Sequence, residues 1–435
     1  MRQTWRWFGP HDTCSVEDME QAGVQGVVTA LHHVPPGAVW TPEAIAERQQ
    51  AVATRGDGTP SSLAWEVVES LPVSEEIKTQ TGAWREHLAA YRQSLRNLAG
   101  AGIAVVCYNF MPIIDWTRTE LRHRRPDGAT TMRFDLTDFA IFDIHLLARN
   151  GAAEDYPEAV REATFGRFRT MPDEAKAELV RAVTAGLPGE VERLALGDVR
   201  DLLGRYEGVS AERLFGTLVD FLAEVLPEAE RLGLRLACHP DDPPWPLLGL
   251  PRVMSTEADY TRVFEAVDLP ANGATICSGS LGARPDNDLP GIVERLGPRV
   301  HFLHLRNVRR EGPGQPCSFF EDRHLEGNTD MVAVIAAALR EEARRRTTGA
   351  TQEIPMRPDH GQDILDDSRS AGQPGYPRIG RLKALAELRG IIATIEHPNI
   401  CWRNSGLNSP VKPSLPAPDI TSGGNLGPRA RMAER

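Results

Sequence analysis

IPMRPDHG, residues 354–361, is a short apolar run that breaks into an arginine, an aspartate and a histidine within four residues. A buried strand seldom ends this way unless its end carries chemistry. Pro355 and Pro358 stiffen the backbone around Arg357, and Gly361 permits a turn directly after His360. Three other stretches have the same form: LRLACHPDDPP (234–244), ATICSGS (274–280) and VHFLHLRN (300–307). Each is a mostly apolar run that ends in His239, Cys277 or His304.

Four more units precede them. TWRWF (4–8) alternates as a strand does, and Ser15 with Asp18 forms a capping-box pattern for a short helix stopping near Gly23. GVVTALHHV (26–34) is apolar up to the paired His32 and His33, and Thr41 with Pro42 opens the next helix. AWEVVES (64–70) is followed by a helix with Trp84, Leu88, Tyr91, Leu95 and Leu98 on one face, then AVVCYNFMP (104–112). Residues 115–208 break the rhythm and read as a helical insertion, with a helix capped by Thr170 and Asp173 and packed through Leu179, Val183 and Leu187. A helix ending at Leu232 restores the alternation, and another opens after Asp330 with Val334, Ile335, Ala338 and Leu339 inward.

Eight strands alternating with helices, apolar where both faces are buried, predict an α/β fold with a parallel sheet closed into a (β/α)8 TIM barrel. An open doubly wound sheet is the alternative. Polar residues gathered at the C-terminal ends of strands favour the barrel, because such barrels build their sites there. GIIAT (390–394) could be a ninth strand. The reading gives one catalytic domain over 1–396 and a disordered tail over 397–435, where Pro, Ser, Gly and Asn dominate without period.

The chain has 435 residues, 41% of them hydrophobic, and a formal charge of −11. It is long enough for a large core, and its acidity argues against a nucleic-acid partner. No run suits a membrane span and MRQTWRWFGP lacks the apolar centre of a secretory leader, so a cytoplasmic location is expected. The six cysteines are scattered singly and read as reduced thiols.

A closed barrel brings His239, Cys277, His304 and Asp359 to one rim. Two imidazoles, a thiolate and a carboxylate suit manganese, iron, cobalt or zinc better than magnesium. Bland readings compete at each position: Cys277 as a small core residue, His301 in place of His304, Asp359 as a helix cap, and Asp241 or Asp242 in place of His239. Arg306, Arg284 and Arg357 near such a metal would hold a substrate carboxylate, and His32 ends a strand on the same rim. His360 and Tyr376 are candidates for proton transfer.

The segments TWRWFGPHD (4–12), GVVTALHHVPPGAVW (26–40), VVESLPVSEEIKTQTG (67–82), RNLAGAGIAVVCYNFMPIIDWTRT (96–119), HPDDPPWPLLGLPR (239–252), RNVRREGPGQPCSFFEDRHLEGNTDM (306–331) and IPMRPDHG resemble, in order, those of the mannonate dehydratase family. The resemblance covers most of the chain. It implies a barrel of the xylose-isomerase-like type and removal of water from D-mannonate to give 2-dehydro-3-deoxy-D-gluconate in hexuronate degradation. It also implies Fe2+ or Mn2+ on His239, Cys277, His304 and Asp359, with Arg357, His360 and Tyr376 as acid–base and orienting groups. Tyr376, its pKa lowered by Arg357 and the metal, and His360 form the expected proton-transfer pair. A small-molecule sugar-acid substrate and a homo-oligomer are expected.

Two departures stand out. GDGTPSS (56–62) reads as a small insertion on the face away from chemistry, and the tail after about residue 395 does not resemble the family's short apolar ending. A metal-dependent sugar isomerase on the same barrel, or a catalytically idle sugar-acid binding protein, are the competing functions.

Overall fold

The structure is a computed structural model and describes residues 1–186, 194–349, 352–370 and 372–397. The expected tail beyond His397 and the expected helix position of Leu187 lie outside the described residues. Twelve strands are present among them: β1 (Arg2–Arg6), β2 (Gly26–Thr29), β3 (Trp65–Glu69), β4 (Val105–Tyr108), β5 (Glu120–Arg124), β6 (Thr130–Phe134), β7 (Arg235–Cys238), β8 (Asn272–Cys277), β9 (Val300–Leu305), β10 (Asn307–Arg310), β11 (Phe319–Asp322) and β12 (Pro355–Pro358). Eight of them close a parallel barrel in the order β1, β12, β9, β8, β7, β4, β3, β2, and β2 pairs back to β1. This is the eightfold barrel expected from the sequence.

The period of two along each strand sorts the barrel interior into layers. Val28, Val67, Val105, Cys107, Ala237 and Phe302 pack together as a separate apolar cluster inside it. Two residues further along β3, β7 and β9, the same inward face carries Glu69, His239 and His304. The bottom layer is therefore a packed plug, and the layer above it is the chemical one. The larger apolar core lies outside the strands, between the barrel and its helices.

The helical expectations around the barrel hold. Ser15 and Asp18 form the capping box of helix Val16–Gln21, and Thr41 caps helix Pro42–Val52 with Pro42 in its first turn. Leu88, Tyr91, Leu95 and Leu98 are buried along helix Trp84–Gly100, and Val334, Ile335, Ala338 and Leu339 along helix Met331–Thr347.

Three expectations need correction. GIIAT is not a ninth strand, since it lies within helix Arg378–Glu396, with Leu385, Leu388 and Ile391 buried at helical spacing. Thr170 does not cap a helix either. It is the last residue of helix Glu158–Thr170, Pro172 precedes helix Asp173–Val183, and the Thr170 hydroxyl bonds back to the Gly166 and Arg167 carbonyls.

The insertion after β4 also holds more than helices. Its hairpin β5 and β6 joins β10 and β11 in a second, antiparallel sheet of order β10, β11, β6, β5. The latter pair arises from the loop directly after β9, so two distant loops build one cover over that side of the barrel mouth. Phe134 and Phe319 stack across its centre at 5.6 Å, and Trp245 packs edge-on against both.

Candidate active site

Cys277, His304 and Arg357 sit in one row of the barrel register, Cys277 opposite His304 and His304 opposite Arg357. His239 follows the end of β7. One donor atom from each of His239, Cys277 and His304 falls within 4.8 Å of the others. Nδ1 of His239 lies 2.7 Å from the Pro240 carbonyl, which fixes that nitrogen as the N–H and leaves Nε2 with its lone pair. Burial lowers the His239 pKa further, keeping the ring neutral as a ligand must be. His304 Nε2, shut off from solvent, has no hydrogen-bond partner, and Glu69 Oε2 stands 3.2 Å from it.

These donors fit a divalent transition metal: one orphaned imidazole nitrogen, one oriented imidazole and one thiol, with Cys277 and His304 buried and His239 half-buried. Asp359 Oδ2 lies 3.6 Å from Cys277 Sγ, beside the three. Burial acts to raise its carboxyl, but Arg357, His360 and Arg306 outweigh that and hold it well below the usual carboxylate range.

The competing ligand readings resolve against their alternatives. His301 faces the other end of β9 and bonds the Pro270 carbonyl at 3.0 Å. Asp241 is spent on the Met254 amide and the Ser255 hydroxyl, and Asp242 on Arg118 and Arg306. The described cysteines are all free thiols, as expected.

Around this centre the groups are paired rather than loose. Arg357 donates to Glu69 at 2.7 and 2.9 Å and lies 2.6 Å from Asp359. Arg306 donates to Asp242 at 2.7 Å and reaches Asp359 at 3.4 Å. His360 Nε2 is 3.2 Å from the Tyr376 hydroxyl. Burial pushes the Tyr376 phenol up to about 12, outweighing Arg357, which pulls it down.

A tight inner cavity of about 30 Å³ is lined by His239, Arg306, Arg357, Asp359, His360 and Tyr376, with Arg6, Glu69, Ser70, Asn109, Asp115, Trp116 and Asp242. A second, outer cavity of about 890 Å³ is lined among others by Phe8, His32 and Arg48. Phe8, which lines the outer cavity, stands edge-on to Tyr376 of the inner one at 4.9 Å and lies 5.5 Å from the His32 ring. His32 therefore belongs to the outer space. Arg284 joins neither cavity lining: it pairs with Asp286 at 2.8 Å and the Pro244 carbonyl, so the structure does not support a substrate contact there.

The sequence reading missed Arg6, Glu69, Arg118 and Glu321. Arg6 and Glu69 pair at the strand ends, Glu69 also meeting Arg357. Their signal was the alternation itself, since Thr4 and Arg6, like Val67 and Glu69, are two apart on the inward face. Arg118, fully buried, bridges Asp242 at 2.8 Å and Glu321 at 2.6 Å. Its role depends on the accessory sheet, which had no strand signal strong enough to read.

Comparisons with known proteins place the chain in a family. The family model described as D-mannonate dehydratase matches residues 1–400. The chain is 58% identical over 398 residues to a mannonate dehydratase of Rhizobium meliloti, covering 91% of this chain and 98% of the relative. It is 48% identical over 396 residues to one of Chromohalobacter salexigens, covering 91% and 99%. The crystal structure of mannonate dehydratase from Streptococcus suis superposes with a TM-score of 0.69 at 28% identity, covering 94% of this chain and 99% of that one. With the family model matched over residues 1–400 and relatives up to 58% identical over 91% of its length, the chain belongs to the D-mannonate dehydratase family.

Proposed function

We propose that this family member dehydrates D-mannonate to 2-dehydro-3-deoxy-D-gluconate with Tyr376 and His360 as its proton-transfer pair. The observation that carries the residue assignment is their 3.2 Å contact beside the buried donor cluster. The proton on C2, next to a carboxylate, is very weakly acidic, so its removal needs the developing charge to be stabilised. A divalent metal held by His239, Cys277, His304 and Asp359, iron or manganese, supplies Lewis-acid stabilisation when bound.

The chain's own groups do the rest. Arg306 and Arg357 place two guanidinium groups on the inner cavity wall, and Glu69 and Asp242 fix their planes. One of His360 Nε2 and Tyr376 Oη takes the C2 proton, the electron pair forms the C2–C3 double bond, and the C3 hydroxyl leaves as water with a proton from the other. The enol then loses its C2 hydroxyl proton and takes one at C3, giving the 2-keto acid. The phenol, held near 12 by burial, carries its proton at neutral pH. Substrate enters through the outer cavity past Phe8 and His32, a route supported by the contact of Phe8 with Tyr376.

A cytoplasmic location and a homo-oligomer complete the reading. No described helix is long and apolar enough to cross a membrane, and the described cysteines are unpaired, which suits a reducing compartment. The net charge of −11 disfavours a nucleic-acid partner.

Chelation followed by add-back tests the metal assignment. Activity on D-mannonate lost with chelator and restored by Fe2+ or Mn2+, but not by Mg2+, is the expected result. Full activity in metal-free protein contradicts it.

A further inference from the structure

We propose that Glu321, delivered by β11 of the accessory sheet, is a positioning residue that holds His360 with its proton on Nδ1 and its Nε2 lone pair turned toward Tyr376. The proposal rests on His360 being part of the proton-transfer pair, and it assigns the base role to Nε2 and the acid role to the Tyr376 phenol.

Glu321 Oε1 lies 3.3 Å from His360 Nδ1, and Nε2 on the other side of the ring lies 3.2 Å from the Tyr376 hydroxyl. Carboxylate, imidazole and phenol thus form one chain. Nδ1 has a second neighbour, Arg306 Nη1 at 3.1 Å, which can only donate and would select the opposite tautomer. The charges decide between them. Arg306 Nη1 carries two protons and also reaches Asp359 Oδ2 at 3.4 Å, so it has a carboxylate to meet without His360. With the proton on Nδ1, the ring N–H faces the Glu321 carboxylate and Arg306 keeps Asp359 and Asp242 as partners; with it on Nε2, Glu321 loses its contact with the ring, so the first arrangement leaves more charged groups paired.

Glu321 is itself held in place. Arg118 donates to its Oε1 at 2.6 and 3.2 Å, and its backbone carbonyl accepts from Thr131 at 2.8 Å across the accessory sheet. Arg118 is anchored in turn to Asp242, which also binds Arg306. The competing reading is that Glu321 serves only to neutralise Arg118 and Arg306. That role would leave the His360 tautomer free to vary.

The test uses the full chain, loaded with diamagnetic zinc and labelled with 15N in its histidine rings, with the His360 signals assigned by their loss in His360→Gln. Wild-type protein is expected to carry the His360 proton on Nδ1. In Glu321→Gln the proton moves to Nε2, and in the manganese-loaded variant kcat falls at least about tenfold while KM changes less than about threefold, with Glu321→Asp recovering part of the loss. A wild-type Nδ1 without a proton overturns the proposal even if the variant fails to fold, as does Glu321→Gln with kcat within about twofold of wild type. Turnover retained in His360→Gln instead overturns the role of His360, whatever its tautomer.

Discussion

Glu69 and Arg357 form a buried bidentate pair across the barrel mouth, at 2.7 and 2.9 Å, although β3 and β12 are separated in the barrel by β2 and β1. The pair fixes the guanidinium against the floor of the site, and Glu69 also meets Arg6 and His304. Removing one partner of a buried ion pair leaves uncompensated charge and costs about 3 to 5 kcal/mol. Glu69→Gln is expected to lose about that much stability in urea unfolding and to lower kcat on D-mannonate at least about a hundredfold. Near-normal turnover would show that Arg357 is oriented by other contacts.

Cys277 contributes the only sulfur among the three clustered donors. Cobalt-loaded wild-type protein should show the near-ultraviolet charge-transfer absorption of a metal–thiolate bond, and Cys277→Ser should lose it along with at least about tenfold in metal affinity. An unchanged spectrum would return Cys277 to the role of a small core residue.

Phe8 lines the outer cavity and stands edge-on to Tyr376. Phe8→Ala removes that wall without touching the donor cluster. Its kcat/KM should fall about tenfold or more, with metal content unchanged. No change in either constant would mean that substrate enters elsewhere.

Asp138 lies in the insertion, where burial and the neighbouring Asp135 push its carboxyl up to about 6. The folded state therefore binds a proton there more tightly than the unfolded chain does. Stability contributed by that proton is present at low pH and declines as pH rises from about 4 to about 6, then stays level. Asp138→Asn should flatten this part of the curve. The change is read as a melting temperature whose drop over that window is smaller than in wild type by about 1 to 3 °C. Identical profiles for the two proteins would contradict the raised pKa.

The barrel was legible because each of its strands is buried on both faces, so each reads as an apolar run, and polar residues such as His239 and Cys277 mark where the run stops. The hairpin of β5 and β6 was not legible for the opposite reason. ELRHR and TTMRF mix arginine and histidine with few apolar residues, because one face of that small sheet meets solvent. Glu321 shared this concealment: FFED carries no sign that its carboxylate would reach a histidine 39 residues further on, since their meeting depends on where two loops fold back over the barrel. GIIAT was misread because five apolar and small residues fit a strand or the buried side of a helix equally well. Arg284, expected among the rim arginines, pairs with Asp286 beyond β8.

The most direct measurement is formation of a 2-keto acid, followed by the absorbance of its semicarbazone, when manganese- or iron-loaded protein is incubated with D-mannonate beside D-gluconate. Keto acid from D-mannonate, abolished in Tyr376→Phe and in Cys277→Ala, is the predicted result. No keto acid from D-mannonate with any divalent metal would contradict the dehydratase account, and undiminished formation by Tyr376→Phe would remove the phenol from the reaction.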